Sequence, residues 1–422
     1  MNKEIVIIGG GFAGINVIKS LKNQANIHIT LVDKNNYNFF PPLLYQVATG
    51  FLEVTNISYP FRKILRNQEN ANFRMGELLE INTSEKKVVL STGELKYDQL
   101  ILATGTTSNY FGNEHIKANS LPMKTVNDAI ELRNFIFQKT EDAVLEMNPI
   151  EREKLLTIVI AGGGPTGVEV AGMLAEMRQN IFQKDYPDLK GQTFKIYLVD
   201  GSDTLLTPMS KKAQDYTLET LTKSGVVVKL NTRVKDFVND EVIFDNDEKI
   251  LTKTLIWSAG VTSMVFKGLA DECYGPGKRL KVDQYNELIG FPDIYVLGDS
   301  CIQFSDAAFP IGHPQMAQVA LQQGKNLGQN LINEFQNRQK KAFSYKDKGS
   351  MAIIGRSKAS ADIPYPNIQL TGWVAWVIWL FVHLFSLIGY RNRFKTMVNW
   401  TTAYFTKDQT LRMIIRPSKK SN

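Results

Sequence analysis

Cysteine is nearly absent from this chain: its 422 residues hold two, Cys273 and Cys301, far apart in sequence. That scarcity excludes a disulfide framework and any CxxC redox motif, and it suits a reducing compartment. Histidine is almost as scarce. His28, His115, His313 and His383 show no metal-ligand spacing, so no essential metal is expected. Long apolar runs are missing too, with Thr371 to Gly389 the exception. The chain enters its first strand by Glu4, which leaves no room for a signal or transit peptide. An excess of one charge is also lacking until the end. The formal net charge is +7, yet from Tyr390 to Asn422 eight basic residues face one acid, so the tail alone carries the excess. A uniformly basic chain would suggest nucleic acid; a basic tail directly behind an apolar run points instead to an anionic membrane surface. What remains is globular in composition, 43% apolar and 22% charged, and long enough for two or three domains.

The first stretch that carries chemistry is Glu4-Ile-Val-Ile-Ile-Gly9-Gly10-Gly11-Phe12-Ala13-Gly14. A run of β-branched residues makes a strand that can be buried on both faces. Gly9, Gly11 and Gly14 follow at G-x-G-x-x-G spacing: the first permits a tight turn, the second lets a pyrophosphate approach, and the third lets helix pack on strand. The helix from about Ala13 directs its N-terminal N–H groups at that pyrophosphate. The next strand, His28 to Val32, ends at Asp33, which can accept the hydroxyls of an adenosine ribose. Without a ligand, the same pattern is a glycine-rich strand-helix turn. The aromatic and proline-bracketed segment Phe39 to Gly50 reads either as a buried loop or as a loop closing over a cofactor. Arg74 to Ile81 and Lys87 to Leu90 have the look of strands, and Tyr97 to Leu102 is a buried strand ending in the small turn Ala103-Thr104-Gly105.

A second cycle begins at Leu155 and repeats the pattern: an apolar strand, then Gly162, Gly164 and Gly167 at fingerprint spacing, with Pro165 and Thr166 between them. An apolar helix follows through Val170, Leu174 and Met177, and the strand Lys195 to Val199 ends at Asp200. Gln179 to Gln192, with Pro187 and Gly191, reads as an inserted loop. Two such cycles in one chain amount to a duplicated βαβ unit. Thr254 to Gly260 and Ile294 to Ser300 are further buried strands with small-residue ends, and a helix is expected from about Gln315 to Glu334. Lys340 to Lys348 is a polar, lysine-rich connector. Thr371 to Gly389 holds nineteen residues without formal charge, about 28 Å as a helix and at the short edge of a membrane crossing. Trp373, Trp376 and Trp379 on one side favour an interface. The segment after it places Phe394, Met397, Val398, Thr401 and Phe405 at helical spacing. Attachment to one leaflet is the leading reading, beside a true crossing and a soluble core or dimer interface.

The two fingerprints with Ala103-Thr104-Gly105, Trp257 to Gly260 and Gly298-Asp299 resemble the two-dinucleotide-binding flavoprotein superfamily. Phe39 to Gly50, Ala317-Gln318-Val319-Ala320-Leu321-Gln322-Gln323-Gly324, Gly349 to Arg356 and Gly372 to Arg393 narrow the resemblance to type II NADH:quinone oxidoreductase. It covers Lys3 to about Arg416. The fold it implies is α/β, two Rossmann-like domains of the glutathione-reductase kind plus a C-terminal membrane-associating helical region. Residues 1–112 and 264–340 would form a discontinuous FAD domain, 113–263 the NADH domain and 341–422 the membrane-attachment region. FAD is implied as cofactor, with contacts at Gly9, Gly11, Phe12, Ala13, Gly14, Asp33, Lys34, Pro41, Thr104, Gly105, Asp299 and Ala317. NADH would be held by Gly162, Gly164, Pro165, Thr166, Gly167, Asp200, Ala259 and Gly260. An acid at Asp200 favours an unphosphorylated ribose, hence NADH over NADPH.

Glu169 is expected in the first turn of its helix, where a carboxylate ordinarily partners the dipole. The resemblance gives it a catalytic role beside the nicotinamide and flavin. Gln318 matches the family's quinone-lining glutamine, and Gln322, one turn on, is a further quinone candidate. The activity implied is hydride transfer from NADH to FAD and then two electrons to a membrane quinone, without proton pumping. Sulfide:quinone oxidoreductase, a soluble NADH-dependent reductase of a redox protein and a membrane-tethered flavin sensor are the competing readings. The sulfide enzyme needs a redox cysteine pair near its flavin, and a buried structural thiol is the expected fate of each cysteine here. The implied setting is the cytoplasmic face of an inner membrane, as a homodimer that does not bind nucleic acid.

Overall fold

The computed structural model describes residues 3–192, 194–406 and 411–415. The chain divides into two compact units, one made of the chain up to Phe39, Ser58–Thr107 and Val261–Asp347, the other of Phe40–Ile57, Ser108–Gly260 and Lys348 onward.

The first unit is built on a parallel five-stranded sheet in the order Ile294–Val296, Gln99–Leu102, Lys3–Ile8, Ile27–Asp33, Ala71–Met75. Its central strand pairs Ile7 with Leu31 on one side and with Ile101 on the other, and all three are fully buried. A strand covered on both faces needs this unbroken β-branched run. Arg74 to Ile81 is not continuous: the sheet strand stops at Met75, and Leu78–Asn82 begins a separate antiparallel meander with Lys87–Leu90 and Gly93–Lys96. Helix Phe12–Ser20 packs on helix Ala317–Phe335 through two glycines one turn apart. A Cβ at Gly324 would lie 2.4 Å from the Ala13 carbonyl oxygen, and one at Gly328 2.5 Å from the Ser20 Cβ. Only hydrogen at those positions lets the two backbones meet so closely.

The second unit repeats the architecture with the parallel order Leu121–Pro122, Thr254–Trp257, Thr157–Ala161, Lys195–Val199, Val226–Lys229. Helix Pro165–Met177 follows its central strand. The segment after that helix is not a loop. It runs on as a π-turn, Arg178–Phe182, then Gln183–Asp185 and the 3-10 turn Pro187–Leu189. Tertiary contacts explain the difference: Arg178 donates to the carbonyls of Phe194, Ser224 and Gly225, and Phe182 stacks on Phe194 at 4.5 Å. Of the segment Phe39 to Gly50, Pro41–Leu43 is a 3-10 turn and Leu44–Ala48 a short helix whose five residues are all buried.

The same unit carries a three-stranded antiparallel sheet, Ser350–Gly355, Lys358–Ile363 and Ile368–Thr371, and after it the helices Gly372–Ser386 and Tyr390–Thr406. The apolar run expected as one nineteen-residue element is therefore broken. Its helix has fifteen residues, and Arg393 folds back to cap it, donating to the carbonyls of Phe385 and Leu387. Nor do its tryptophans share a side. Trp373 is 58% exposed, whereas Trp379 is fully buried. Residues three apart fall short of a full turn, so a spacing of three and then three rotates about 120° around the helix.

Candidate functional site

The two fingerprints form two cradles with the same internal bonding, one in each unit. In the first, Gly9 has φ +104°, and a Cβ there would lie 2.3 Å from the Ala103 carbonyl oxygen. A Cβ on Gly14 would lie 2.1 Å from the Gly9 oxygen, while one on Gly11 would meet nothing within 4 Å. The outer glycines thus serve the fold, and the middle one leaves space where a pyrophosphate would lie. Asp33 accepts the backbone N–H of Gly10 at 2.8 Å through one oxygen and that of Asn35 at 2.8 Å through the other. Burial raises its pKa, against the pull of those N–H groups and of Lys34. Asn38 donates to the Gly10 carbonyl and locks the turn from the other side.

The second cradle repeats the glycine geometry and the bonds of the acid. Gly162 has φ +111° and abuts the Ser258 carbonyl, Gly167 abuts Gly162, and a Cβ on Gly164 would meet nothing. Asp200 accepts from Gly163 at 2.5 Å and from Ser202 at 2.7 Å. In both copies the acid first fixes the glycine turn, and each of its oxygens keeps a second lone pair for a ribose hydroxyl. Pro165 and Thr166 open the helix behind Gly164. Ala259 and Gly260 are half-buried at the end of the strand Thr254–Trp257, and Gly260 accepts the Asn109 N–H.

In the first unit, two more turns flank the first cradle. Thr104 has a buried hydroxyl oxygen without a hydrogen-bond partner among the described residues, and the neighbouring Gly105, at φ +66°, has open space at its Cβ position. Gly298 turns at φ +70°, with its Cβ position 3.3 Å from the Ala320 Cβ and 3.8 Å from the Ala13 Cβ. Its N–H donates to Gln323 Oε1 at 2.7 Å, and Asp299 is steadied by Gln315 and Ser263 donating to its backbone oxygen. An orphaned hydroxyl, an open glycine turn and a half-buried acid beside a phosphate-type cradle fit a dinucleotide cofactor such as FAD. Phe12 and Ala13 begin the helix, Lys34 is exposed next to Asp33, and Ala317 is the first residue of helix Ala317–Phe335. Pro41, exposed at the start of its 3-10 turn, belongs to the other unit.

Gln318 is half-buried at the second position of its helix. Gln322 has both ends of its amide engaged with Lys346, donating to its carbonyl at 2.8 Å and accepting its N–H at 3.1 Å. That pairing fastens the lysine-rich connector and speaks against a ligand role. Cys301 is buried against Gln323 and Asn286, its thiol pushed up to about 11 by burial, and both cysteines are free.

Glu169 does not sit in the first turn of its helix. It is the fifth residue, buried, and accepts the backbone N–H of Ile353. Burial holds its carboxyl well above the usual range. Sequence reasoning missed its surroundings. Glu176 lies two turns on, is likewise raised by burial, and accepts the Arg356 N–H. Tyr45, completely buried, feels the charge of Glu169 and then of Glu176, and Gln46 donates to its hydroxyl at 2.8 Å. The one available signal was the Glu169/Glu176 spacing, which places both on one helix face.

A model of the pyridine nucleotide-disulphide oxidoreductase family matches residues 3–324, and one of the NDH2 C-terminal domain matches 348–407. Type II NADH:quinone oxidoreductase Ndh of Mycobacterium tuberculosis is 34% identical over 416 residues, 96% of this chain and 88% of that protein. The chain belongs to the type II NADH:quinone oxidoreductase family. The mitochondrial internal alternative NAD(P)H-ubiquinone oxidoreductase A1 of Arabidopsis thaliana is 27% identical over 433 residues, 95% of this chain and 84% of that one. The fold is also that of NDH2 from Plasmodium falciparum, solved with NADH, at a TM-score of 0.89 and 22% identity over 99% of this chain and all of that one. Sulfide:quinone oxidoreductase from Aquifex aeolicus is a more distant fold match, with a TM-score of 0.69 at 20% identity over 94% and 92%.

Proposed function

We propose that this protein oxidises NADH and reduces a quinone, with FAD as its cofactor. The observation that carries this is the duplicated cradle, each copy with a closed outer pair of glycines, an open middle one and an acid bonded to the turn, in a chain of this family. FAD, when bound, would supply the two-electron redox chemistry between NADH and the quinone.

The chain's own residues do the rest. Gly11 admits the FAD pyrophosphate, the N-terminal N–H groups from Phe12 to Gly14 face it, and Asp33 and Lys34 hold the adenosine end. Thr104, Gly105 and Asp299 line the remainder, with Pro41 and Ala317 as further contacts. Gly162, Gly164, Pro165, Thr166 and Gly167 receive NADH, Asp200 its adenine ribose, and Ala259 and Gly260 its nicotinamide half. Residues 1–112 with 264–340 form the FAD domain in this reading, 113–263 the NADH domain and 341–422 the attachment region. Glu169, whose carboxyl burial raises well above the usual range, is positioned to handle a proton in the reaction. Gln318 orients a quinone carbonyl, since a neutral amide both donates and accepts.

The exposed apolar faces of the two C-terminal helices support attachment to one membrane leaflet, with basic residues toward anionic lipid on the cytoplasmic side. A second copy pairs through the same region, which light scattering in mild detergent would test. The deciding experiment is NADH oxidation with a quinone analogue while the flavin spectrum is followed. Gln318→Ala should lower quinone reduction by roughly a hundredfold, within the range for a catalytic positioning group, with flavin bleaching by NADH little changed. Equal loss of both steps would contradict the role given to Gln318.

A further inference from the structure

Asp200 closes the strand Lys195–Val199, and the chain around it is stitched to the end of the neighbouring strand Val226–Lys229. The Asp200 N–H donates to the Lys229 carbonyl at 2.9 Å, and the Asp200 carbonyl accepts the Thr232 N–H at 2.9 Å. Two residues on, the Ser202 carbonyl accepts the Asn231 N–H at 2.9 Å. Asn231 makes the turn at φ +51°, a left-handed conformation that asparagine tolerates better than most residues. These bonds fix where the next residue, Arg233, leaves the turn. Its backbone is held again by Asp245, whose carboxylate accepts the Arg233 N–H at 3.0 Å and whose own N–H donates to the Arg233 carbonyl at 3.0 Å.

So placed, the Arg233 side chain lies across Gly201, the residue directly after the acid. A Cβ on Gly201 would be 2.6 Å from Arg233 Nε and 2.7 Å from its Cγ, so the arginine occupies the space that a side chain there would fill. The neighbouring cations already have partners: Lys229 pairs with Glu248 at 2.7 Å and Lys235 with Asp247 at 3.0 Å. Arg233 is exposed, and its guanidinium makes no ion pair or hydrogen bond among the described residues.

Asp200 suits a ribose with a 2′-hydroxyl, and its charge opposes a phosphate at that oxygen. An arginine close by is the group that accommodates such a phosphate, because its planar fork meets two phosphate oxygens at once. We propose that Arg233 gives the second cradle a subsite for the 2′-phosphate of NADPH, so that the protein takes NADPH as a second, weaker donor beside NADH. The inference rests on the preceding section's reading of this cradle as the NADH site. Asp200 ranks the two donors and Arg233 admits the second. The reaction keeps its balance: NADPH, a quinone and H+ give NADP+ and quinol, with the hydride leaving the same nicotinamide carbon.

Adenosine 2′,5′-bisphosphate and adenosine 5′-monophosphate differ only in the 2′-phosphate, and calorimetry of their binding to the flavin-loaded protein reads the subsite without turnover. Arg233→Gln should weaken the bisphosphate roughly ten- to a hundredfold more than the monophosphate, the range for a charge-assisted hydrogen bond. Arg233→Lys, which keeps the charge and loses the fork, should lie between. Flavin bleaching should follow the same order. NADPH should bleach the wild-type protein at a higher half-saturating concentration than NADH, and Arg233→Gln should widen that preference by the same factor. Equal weakening of both nucleotides would assign Arg233 to the adenine or to the fold, and no change in either would give the phosphate to another group. Each of those results overturns the proposal, as does a wild-type protein that binds the monophosphate but not the bisphosphate. If neither NADH nor NADPH bleaches the flavin while the bisphosphate still binds through Arg233, the donor role of the site is wrong and the phosphate subsite stands.

Discussion

Gly11 and Gly14 stand three residues apart in one fingerprint, and replacing each by alanine should do opposite things. At Gly14 the added methyl would be 2.1 Å from the Gly9 oxygen, so the helix must lift off the strand. At Gly11 it meets no protein atom within 4 Å, and the backbone there (φ −73°) suits alanine. Gly11→Ala should therefore fold with a stability within about 0.5 kcal/mol of wild type but lose FAD on gel filtration. Gly14→Ala should lower the melting temperature of the apoprotein itself. Melting curves of apoprotein, with flavin absorbance after filtration, separate the two, and equal loss of stability would refute the division of roles. The glycines were legible in sequence because their constraint is steric and lies within a few residues. Asp33 and Asp200 were legible as strand-end acids, yet their bonds to Gly10 and Gly163 were not, since these depend on how each turn curls back. Glu176 and Tyr45 were hidden for a stronger reason. Glu176 is bonded by Arg356 and Tyr45 feels Glu169 and Glu176, and only tertiary folding brings residues near 45 and near 356 against a helix near 170.

Among the elements, helix Gly372–Ser386 shows how a local pattern misleads. Its composition is uniformly apolar, so no period distinguishes the inner from the outer face, and tryptophan alone was a poor guide. Burial of Trp379 is settled by neighbours: its ring stacks on His383 at 4.0 Å and lies 5.6 Å from Trp400. His383 donates from Nδ1 to the Trp379 carbonyl at 2.8 Å and meets Phe40 edge-on. Burial pulls its pKa down from 6.5 to about 4, with the hydrogen bond to Trp379 acting in the opposite sense. Above pH 6.5 neither folded nor unfolded histidine is charged, so the group contributes no pH dependence there. Between pH 6.5 and about 4 the unfolded chain binds a proton that the folded one refuses, so stability is lost as pH falls through that window. His383→Phe removes the titration and keeps a ring against Trp379. Thermal midpoints of the two proteins across the window should shift in favour of the variant as pH drops. A constant difference would mean that His383 is solvated in the folded state.

For the whole molecule the question is what its outward apolar surface is for. Trp373, Val374, Phe381, Val382 and Phe385 on one helix, and Phe394, Met397, Val398 and Phe405 on the next, are all at least 43% exposed. So many outward apolar side chains on two successive helices are costly in water and mark an interaction face. Among the described residues no helix is long and apolar enough to cross a membrane, and a fifteen-residue helix reaches about 22 Å against a core of roughly 30 Å. Arg391 is exposed beside this face and Lys395 half-exposed, while Lys407, Arg416, Lys419 and Lys420 of the basic tail lie outside the described residues. On the proposal that the face lies on a leaflet, Phe381→Ser with Phe385→Ser should weaken binding to anionic vesicles by about 3 kcal/mol, roughly a hundredfold, if each ring is partly inserted. Because both rings already face outward, the melting temperature and the reduction of a water-soluble quinone analogue should hardly change. Raised salt should weaken binding of wild type and variant alike through the basic residues, leaving their ratio intact. Flotation on vesicles at low and high salt measures the binding of each protein. Unchanged flotation with a lost dimer would assign the face to a second copy of the chain, and the membrane reading would then have to rest on another surface.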